Sequence, residues 1–460
     1  MIVYWLLFLF VILTLLSYII LNRDIFSPSV FMGIAYILAI SCTIYNIKAW
    51  SINMRIKTLF ILVLSYMIFM LMEVFIKLLW QKKLNSTLAK QSSKLINKKN
   101  SEGRYIIIPN CVCISFDIFA VMVAFWYFRG AYQIACNHGY SGVGNFLTYF
   151  RNAASYGILS ADETMNPIVE QLFKFETVGA YVFSYILINN LMTSKWNFVD
   201  TWKDTFKYRI PIYVFFVATI STAGRLQYIR FAVALLLMTY LQYNQKHNWK
   251  KNISRKIFLY GGIALVVIMV AFFLMGNIVG RNVTQSPMDY LTRYAGSPIY
   301  MFDKYLQSPL PRTKYFGGET FYGIYTGLRK LGLTKYHEIY HLEFRTLGRQ
   351  VLGSNTYTAI RRYYQDFGVT GVAVFQVLMS LIVNSYYYFV IRSINRSEFK
   401  EIIYCFFYYS IPLHPINETF FSVGFSIGSI IYILDFILLW NLIKMSTRVR
   451  IKWGLRRSLI

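Results

Sequence analysis

The chain has 460 residues, 56% of them hydrophobic and 15% charged, and 47 Lys and Arg against 20 Asp and Glu leave a formal charge of +27. A soluble domain of this length carries more charge and less apolar surface. The apolar runs are continuous rather than alternating, which excludes a transmembrane β-barrel, and the short basic clusters between them carry no nucleic-acid recognition motif.

Run length predicts an all-α, polytopic membrane protein with the lipid bilayer as its surroundings. Eleven spans are expected near residues 1–21, 28–45, 59–80, 107–128, 176–192, 208–223, 226–243, 257–276, 369–391, 402–413 and 423–445. The first has no basic segment before it and no small-residue cleavage site, so it reads as a retained span rather than a signal peptide. The five cysteines lie in or beside apolar runs and read as buried thiols. Dense Lys and Arg at 81–104, 194–209, 244–256, 392–401 and 446–460 mark the cytoplasmic side. The N-terminus is then outside and the C-terminus inside, and only the loop 46–58, with Lys48, Arg55 and Lys57, carries basic charge on the wrong side. Residues 1–276 form the first eight spans, 277–368 one long extracytoplasmic loop, and 369–460 the last three spans with a basic tail.

In chain order, the first charged groups within spans are Glu73 and Lys77, four apart on one helical face and expected to pair. Asp117 and Asp435 are isolated polar groups in their spans. Ser221-Thr222-Ala223-Gly224-Arg225 opens a span at its outer end, with Gly224 expected to supply the turn. Arg225 and Arg230 are five residues apart, so they need not grip one group. They read either as snorkelling anchors or as captors of pyrophosphate. Arg281 and Arg293 open the long loop. Phe316-Gly317-Gly318-Glu319-Thr320-Phe321 then suggests a turn beside aromatic surface, and amphipathic helices lying on the bilayer are a second reading of this region. His337-Glu338-Ile339-Tyr340-His341 matches the zinc-protease signature, but no third ligand follows at a usual spacing. His341 fits better as a lone acid/base or sugar contact, and no metal site is expected.

The loop ends in Asn355-Thr356-Tyr357-Thr358, then Arg361, and Tyr364-Gln365-Asp366-Phe367-Gly368 with Gly371 beyond. This block resembles one found in the oligosaccharide repeat-unit polymerases, the O-antigen polymerase or Wzy family. So do Gly224-Arg225 opening a span, Pro298 to Leu306 followed by Gly318-Glu319-Thr320-Phe321, and Asp24 to Ser29. The resemblance runs over most of the chain, and the zinc-protease signature is not part of it. It implies a glycosyltransferase of the bacterial cytoplasmic membrane, acting on its outer face. A growing glycan would pass from undecaprenyl pyrophosphate onto the non-reducing sugar of a new carrier-linked repeat unit, to build O-antigen or capsule. It implies no metal and no nucleotide sugar, and a chain-length regulator as a candidate partner.

That chemistry concentrates negative charge on the leaving group and needs a base for the acceptor hydroxyl. Arg225, Arg230, Arg281 and Arg293 are candidate cations; Asp366, Glu319 and His341 are candidate bases. Asn355, Tyr357, Thr358, Arg361 and Tyr364 are candidate sugar contacts. An O-antigen ligase would use the same donor with a lipid-core acceptor, and the Asn355–Gly371 block favours the polymerase. A lipid-linked glycan flippase would have more polar spans and no long loop, and a membrane zinc protease stands or falls with His337, Glu338 and His341.

Overall fold

The computed structural model describes residues 1–91, 105–155, 164–193, 204–247, 249, 276, 286–336, 342–348, 351–393 and 397–457. The described chain is almost entirely helical. It begins with α1 (Ile2–Ile20), α2 (Pro28–Tyr45), α3 (Ile56–Gln91), α4 (Asn110–Asn137) and α5 (Phe146–Ser155). It continues with α6 (Pro167–Thr193), α7 (Ile210–Ser221), α8 (Leu226–Lys246), α9 (Pro287–Gln307) and α10 (Tyr322–Lys330). A hairpin of β1 (Arg345–Leu347) and β2 (Val351–Ser354) precedes α11 (Ile360–Ser385), which runs into a π-helical turn over Tyr386–Ile391. The last elements are α12 (Glu398–Phe407), α13 (Ser410–Leu413) and α14 (Ile427–Arg457).

Among the described residues six helices are long and apolar enough to cross a membrane: α1, α2, α4, residues Ile56–Asn85 of α3, Ile360–Ile391 through α11, and Ile427–Ser446 of α14. The spans expected at 176–192, 208–223 and 226–243 fall on α6, α7 and α8, which are shorter or more polar. The span expected at 402–413 is broken into α12 and α13, and all but the last residue of the one at 257–276 lies outside the described residues.

Contacts divide the chain into two compact units rather than following chain order. Unit 1 comprises Met1–Lys98, Gln285–Lys400 and Phe407–Ile430; unit 2 comprises Lys99–Thr284, Glu401–Phe406 and Ile431–Ile460.

In unit 1, α3 packs along α11, and α1 packs on α2 and α3. Both contacts are aromatic: Phe10 of α1 stacks on Tyr36 of α2 and Tyr66 of α3, with centroids at 4.8 and 5.0 Å. The segment read from sequence as a loop is built. Ser286 caps α9, accepting the Asp289 N–H and donating to its carboxylate, a local signal that starts the helix before Pro287. The amphipathic helix then crosses α2 at Gly296, where a Cβ would sit 2.6 Å from the Thr43 backbone nitrogen. Only a glycine permits that crossing, and the Thr43 hydroxyl donates to the Gly296 carbonyl at 2.9 Å.

In unit 2, α4 packs against α5, α6 and α7, and α6 packs against α7 and α8. Gly179 of α6 makes room for Phe116 of α4, whose ring also meets Phe175 and Phe183.

Candidate functional site

The α2–α3 loop and the start of α11 lie at one end of unit 1, which α9, α10 and the hairpin cover; it is called here the excursion end. Its centre is Arg361, in the first turn of α11, which is 0% exposed. Its guanidinium lies 2.9 Å from Glu319 and 2.6 Å from Glu343, and it stacks over the rings of Tyr305 and Tyr357 at 4.9 and 5.4 Å. The neighbouring Arg362 reaches the same Glu319 carboxylate at 2.8 Å, donates to the Glu319 carbonyl, and lies over Tyr322. Arg345 approaches Glu343 at 3.5 Å and donates to the Lys304 and Ser308 carbonyls. Three guanidinium groups therefore meet two carboxylates, and buried charge persists only when matched in this way.

Asp366, one helical turn on, completes the frame. It accepts the backbone N–H of Glu319 and of Thr320, and the Thr320 hydroxyl at 2.7 Å. The Gly317–Phe321 turn is thus fastened to α11 by Asp366 from one side and Arg362 from the other. Gly317, at φ 65°, supplies the left-handed residue that bends the chain there. Asp366 and Glu319, both candidate bases, are engaged in holding this turn.

Gly368 explains why the polar block ends where it does. It takes φ 67° and ψ −155°, a region essentially restricted to glycine, and breaks α11 into a short polar helix and a long apolar one. Gly371 lets the two pieces close up, since a Cβ there would lie 2.7 Å from the Tyr363 carbonyl oxygen.

The remaining predicted contacts are spread around this frame. Tyr357 is buried and donates to the Glu343 carbonyl at 2.8 Å, and Thr358 is buried beside it in sequence. Arg293 donates to the Gly353 carbonyl at 2.7 Å and so tethers the hairpin to α9. Asn355 is half-buried. Tyr364 faces the Phe302 and Tyr305 rings and lies under the exposed Lys57 ammonium, 5.4 Å from the ring centroid. The exposed Arg312 guanidinium comes within 4.0 Å of where a Cβ of Gly368 would stand.

The burial of this end is reflected in its ionisation. Burial pushes the Tyr305 phenol up to about 12, with Arg361 pulling the other way, and raises Tyr357 and Tyr336 too. Burial, with Arg345 alongside, lowers the Lys304 ammonium. The tyrosines here are neutral hydroxyl donors and aromatic surface.

Arg225 and Arg230 belong to unit 2. Arg225 is buried at the residue preceding α8, and Arg230 is half-buried just over a turn later. The turn differs from expectation: the left-handed residue is Ala223, at φ 52°, while the Gly224 N–H donates to the Thr222 hydroxyl at 3.2 Å. An alanine held left-handed stores backbone strain two residues before Arg225. Arg281, His341, His337 and Glu338 lie outside the described residues. Among the described residues no group of three or more His, Cys, Asp or Glu could hold a metal ion.

Sequence reasoning missed Glu343, Arg345, Tyr305, Lys57 and Arg312. Glu343 lies two residues beyond the zinc-protease signature and drew no separate notice. Lys57 was noticed only as a charge on the wrong side, a signal that could have placed it at a ligand. Comparison with profiles of known protein families, with curated proteins and with solved structures finds no match.

Proposed function

We propose that the chain is a membrane glycosyltransferase that polymerises undecaprenyl-pyrophosphate-linked repeat units into a surface polysaccharide. In this reading eleven spans cross the bacterial cytoplasmic membrane, and the excursion end of unit 1 faces outward. The supporting observation is the Asn355–Gly371 block. Of the residues that resemble the polymerases, the Gly318–Phe321 turn and the Arg361–Gly371 part of the block interlock at one polar end of unit 1, while Asp24 lies at its opposite end and Arg225 in unit 2. An enzyme whose substrates are lipid-anchored and whose reaction is polar needs a rigid polar surface at the end of a membrane bundle.

In the proposed step, an acceptor sugar hydroxyl attacks the anomeric carbon of the donor glycan as its bond to the pyrophosphate oxygen breaks. The hydroxyl proton passes to a base, and undecaprenyl pyrophosphate leaves with the electron pair. Fixed cations stabilise that leaving group. Arg361 and Arg362 already face carboxylates, which makes them the scaffold. The exposed Lys57, over the Tyr364 ring, and the exposed Arg312, near Gly368, are better placed to meet phosphate on unit 1, while Tyr364 offers a face to a sugar ring. Arg225, in unit 2, is a separate candidate cation, and the strained Ala223 two residues before it fits a position fixed for function.

The test is genetic and chemical. Removing the gene from its own organism should leave surface glycan as single repeat units, and re-expression should restore long chains. Arg225→Ala at matched membrane level should slow polymerisation about a hundredfold, an effect on the order of 3 kcal/mol by analogy with loss of one oxyanion donor. Arg225→Lys keeps the charge without the planar fork and should recover only part. Long chains from Arg225→Ala would remove that residue from the reaction, and unchanged glycan in the deletion strain would end the polymerase reading.

A further inference from the structure

Unit 2 contains a carboxyl that the proposed reaction does not use. Glu176 lies in the first half of α6 and is 0% exposed. Its surroundings are apolar. Phe173 packs with Val123 of α4 and Ala218 of α7, Phe175 meets Phe116 and Phe119, and Val178, Gly179 and Ala180 are buried on the same helix. Neither carboxyl oxygen has a hydrogen-bond partner among the described residues.

Glu401, in the same unit, shows how the fold satisfies a carboxylate when it holds one. It is also buried, and it receives the Tyr185 hydroxyl at 2.7 Å and the Gln245 amide at 2.7 Å. Among the described residues Glu176 is offered no such donor. An ionised carboxylate in those surroundings is heavily penalised, whereas the neutral acid is accommodated, and ionisable groups in membrane helices are rarely kept without a task.

We propose that Glu176 is a proton-binding site within the helix bundle of unit 2, a carboxylic acid that holds one exchangeable proton. The ligand is the proton itself. A hard metal cation takes a shell of several oxygens, whereas the side chains packed around this turn of α6 are predominantly hydrocarbon. The inference rests on unit 2 alone and is independent of the glycan reaction.

A hydrophobic carbodiimide tests it on the whole chain in liposomes. The acid proton moves to a carbodiimide nitrogen while the carboxyl oxygen bonds to the central carbon. The resulting O-acylisourea rearranges to a stable N-acylurea, so one whole reagent molecule is added and nothing is lost. Peptide mass spectrometry of protein treated with dicyclohexylcarbodiimide should find that adduct on Glu176 but not on Glu401, and Glu176→Gln should lose it. Infrared spectroscopy should show the carbonyl stretch of a protonated carboxyl that shifts in deuterated water and vanishes in Glu176→Gln. Absence of the adduct in folded protein, or of the band, would overturn the proposal. So would a band that does not shift in deuterated water, because the proton would then not exchange. Gln is neutral and of the same shape, so the variant is expected to fold.

Discussion

Unit 1 solves the problem of buried charge in two ways, one at each end. At the excursion end, Arg361 and Arg362 are adjacent in sequence and converge on Glu319, and Glu343 closes the other side of Arg361. At the opposite end, Glu73 and Lys77 are four apart on α3, yet each turns to a different helix. Glu73 accepts the Ser29 N–H at 2.6 Å and the Tyr388 hydroxyl at 3.2 Å. Lys77 donates to the Ile20 carbonyl at 2.6 Å and to Asn22 at 3.1 Å. Asp24 takes the Tyr387 hydroxyl and lies 3.4 Å from Arg392, which stacks over Trp80. The first arrangement is a charge cluster in which every member depends on the others. The second is a set of separate staples between helix ends, satisfied mainly by neutral groups. Clusters fail together, whereas staples fail one at a time.

That difference sets the largest expected effect. Arg361→Ala leaves Glu319 with Arg362 alone and Glu343 with only the longer Arg345 contact at 3.5 Å, and breaking a buried pair in this way costs on the order of 3–5 kcal/mol. Thermal unfolding in detergent or nanodiscs should show a large loss, and adding Glu343→Gln, the carboxylate left with the weaker partner, should recover part of it. If Arg361→Ala alone unfolds like the parent, the cluster is not what holds the excursion to α11.

His414 tests whether neutral burial behaves like either end. Its ring is buried between the Tyr36 hydroxyl at 2.8 Å and the Gln376 amide at 2.7 Å, and burial pushes the imidazole down to about 3. The unfolded chain takes up this proton first, near pH 6.5. The stability that His414 contributes is therefore present above pH 6.5 and lost as pH falls toward 3. Unfolding followed through that window should steepen with acid in the parent and flatten in His414→Gln; parallel curves would mean that the imidazole is already solvated.

Gly368→Ala addresses the joint between the polar and apolar pieces of α11. Alanine at φ 67°, ψ −155° is strained by about 1–3 kcal/mol. The space beside it is open apart from the Arg312 guanidinium at 4.0 Å, so the loss reads backbone strain rather than a clash. A variant as stable as the parent would show that the kink is not enforced.

Much of this architecture could be read in advance, for a physical reason. Apolar runs long enough to span lipid announce themselves, so α1 to α4, the long apolar part of α11 and α14 fall where hydropathy puts them. Gly368 was legible as a boundary because a glycine closes the polar block. The partners were not legible. Glu319 and Arg362 are 43 residues apart and Glu343 and Arg361 are 18 apart, and no periodicity links residues brought together by a hairpin and a turn. The helix α9 was obscured by Gly296 and Pro298, which signal a break locally, whereas here Gly296 is a crossing point and Pro298 lies inside a continuous helix. Glu73 and Lys77 illustrate the reverse error: correct spacing for a pair, overridden by better partners on other helices.

Lys77→Met should cost about 1 kcal/mol, since one staple with two neutral acceptors is lost and the other contacts of that end survive. A loss as large as that of Arg361→Ala would mean that this end is a cluster after all.

The smallest effect on stability and the sharpest on function should come from Lys57. Its ammonium is exposed and its ring contact with Tyr364 is long, so removing it should change unfolding by about 0.5–1 kcal/mol or less. Positive charge beside the first turn of α3 opposes the helix dipole, and the α3 N-terminus is already served by Asp303, which accepts the Arg55 N–H and the Thr58 hydroxyl. In the proposed reaction this exposed charge meets phosphate. Lys57→Ala and Arg312→Ala should therefore shorten surface glycan at unchanged unfolding temperature, and the pair together more than either alone. Lys57→Arg should retain function, since a point charge against phosphate tolerates the exchange. Full-length glycan from the double variant would leave the excursion end with a scaffold of matched charges and no cation to offer a ligand, and would move the phosphate contact of the proposed reaction to Arg225.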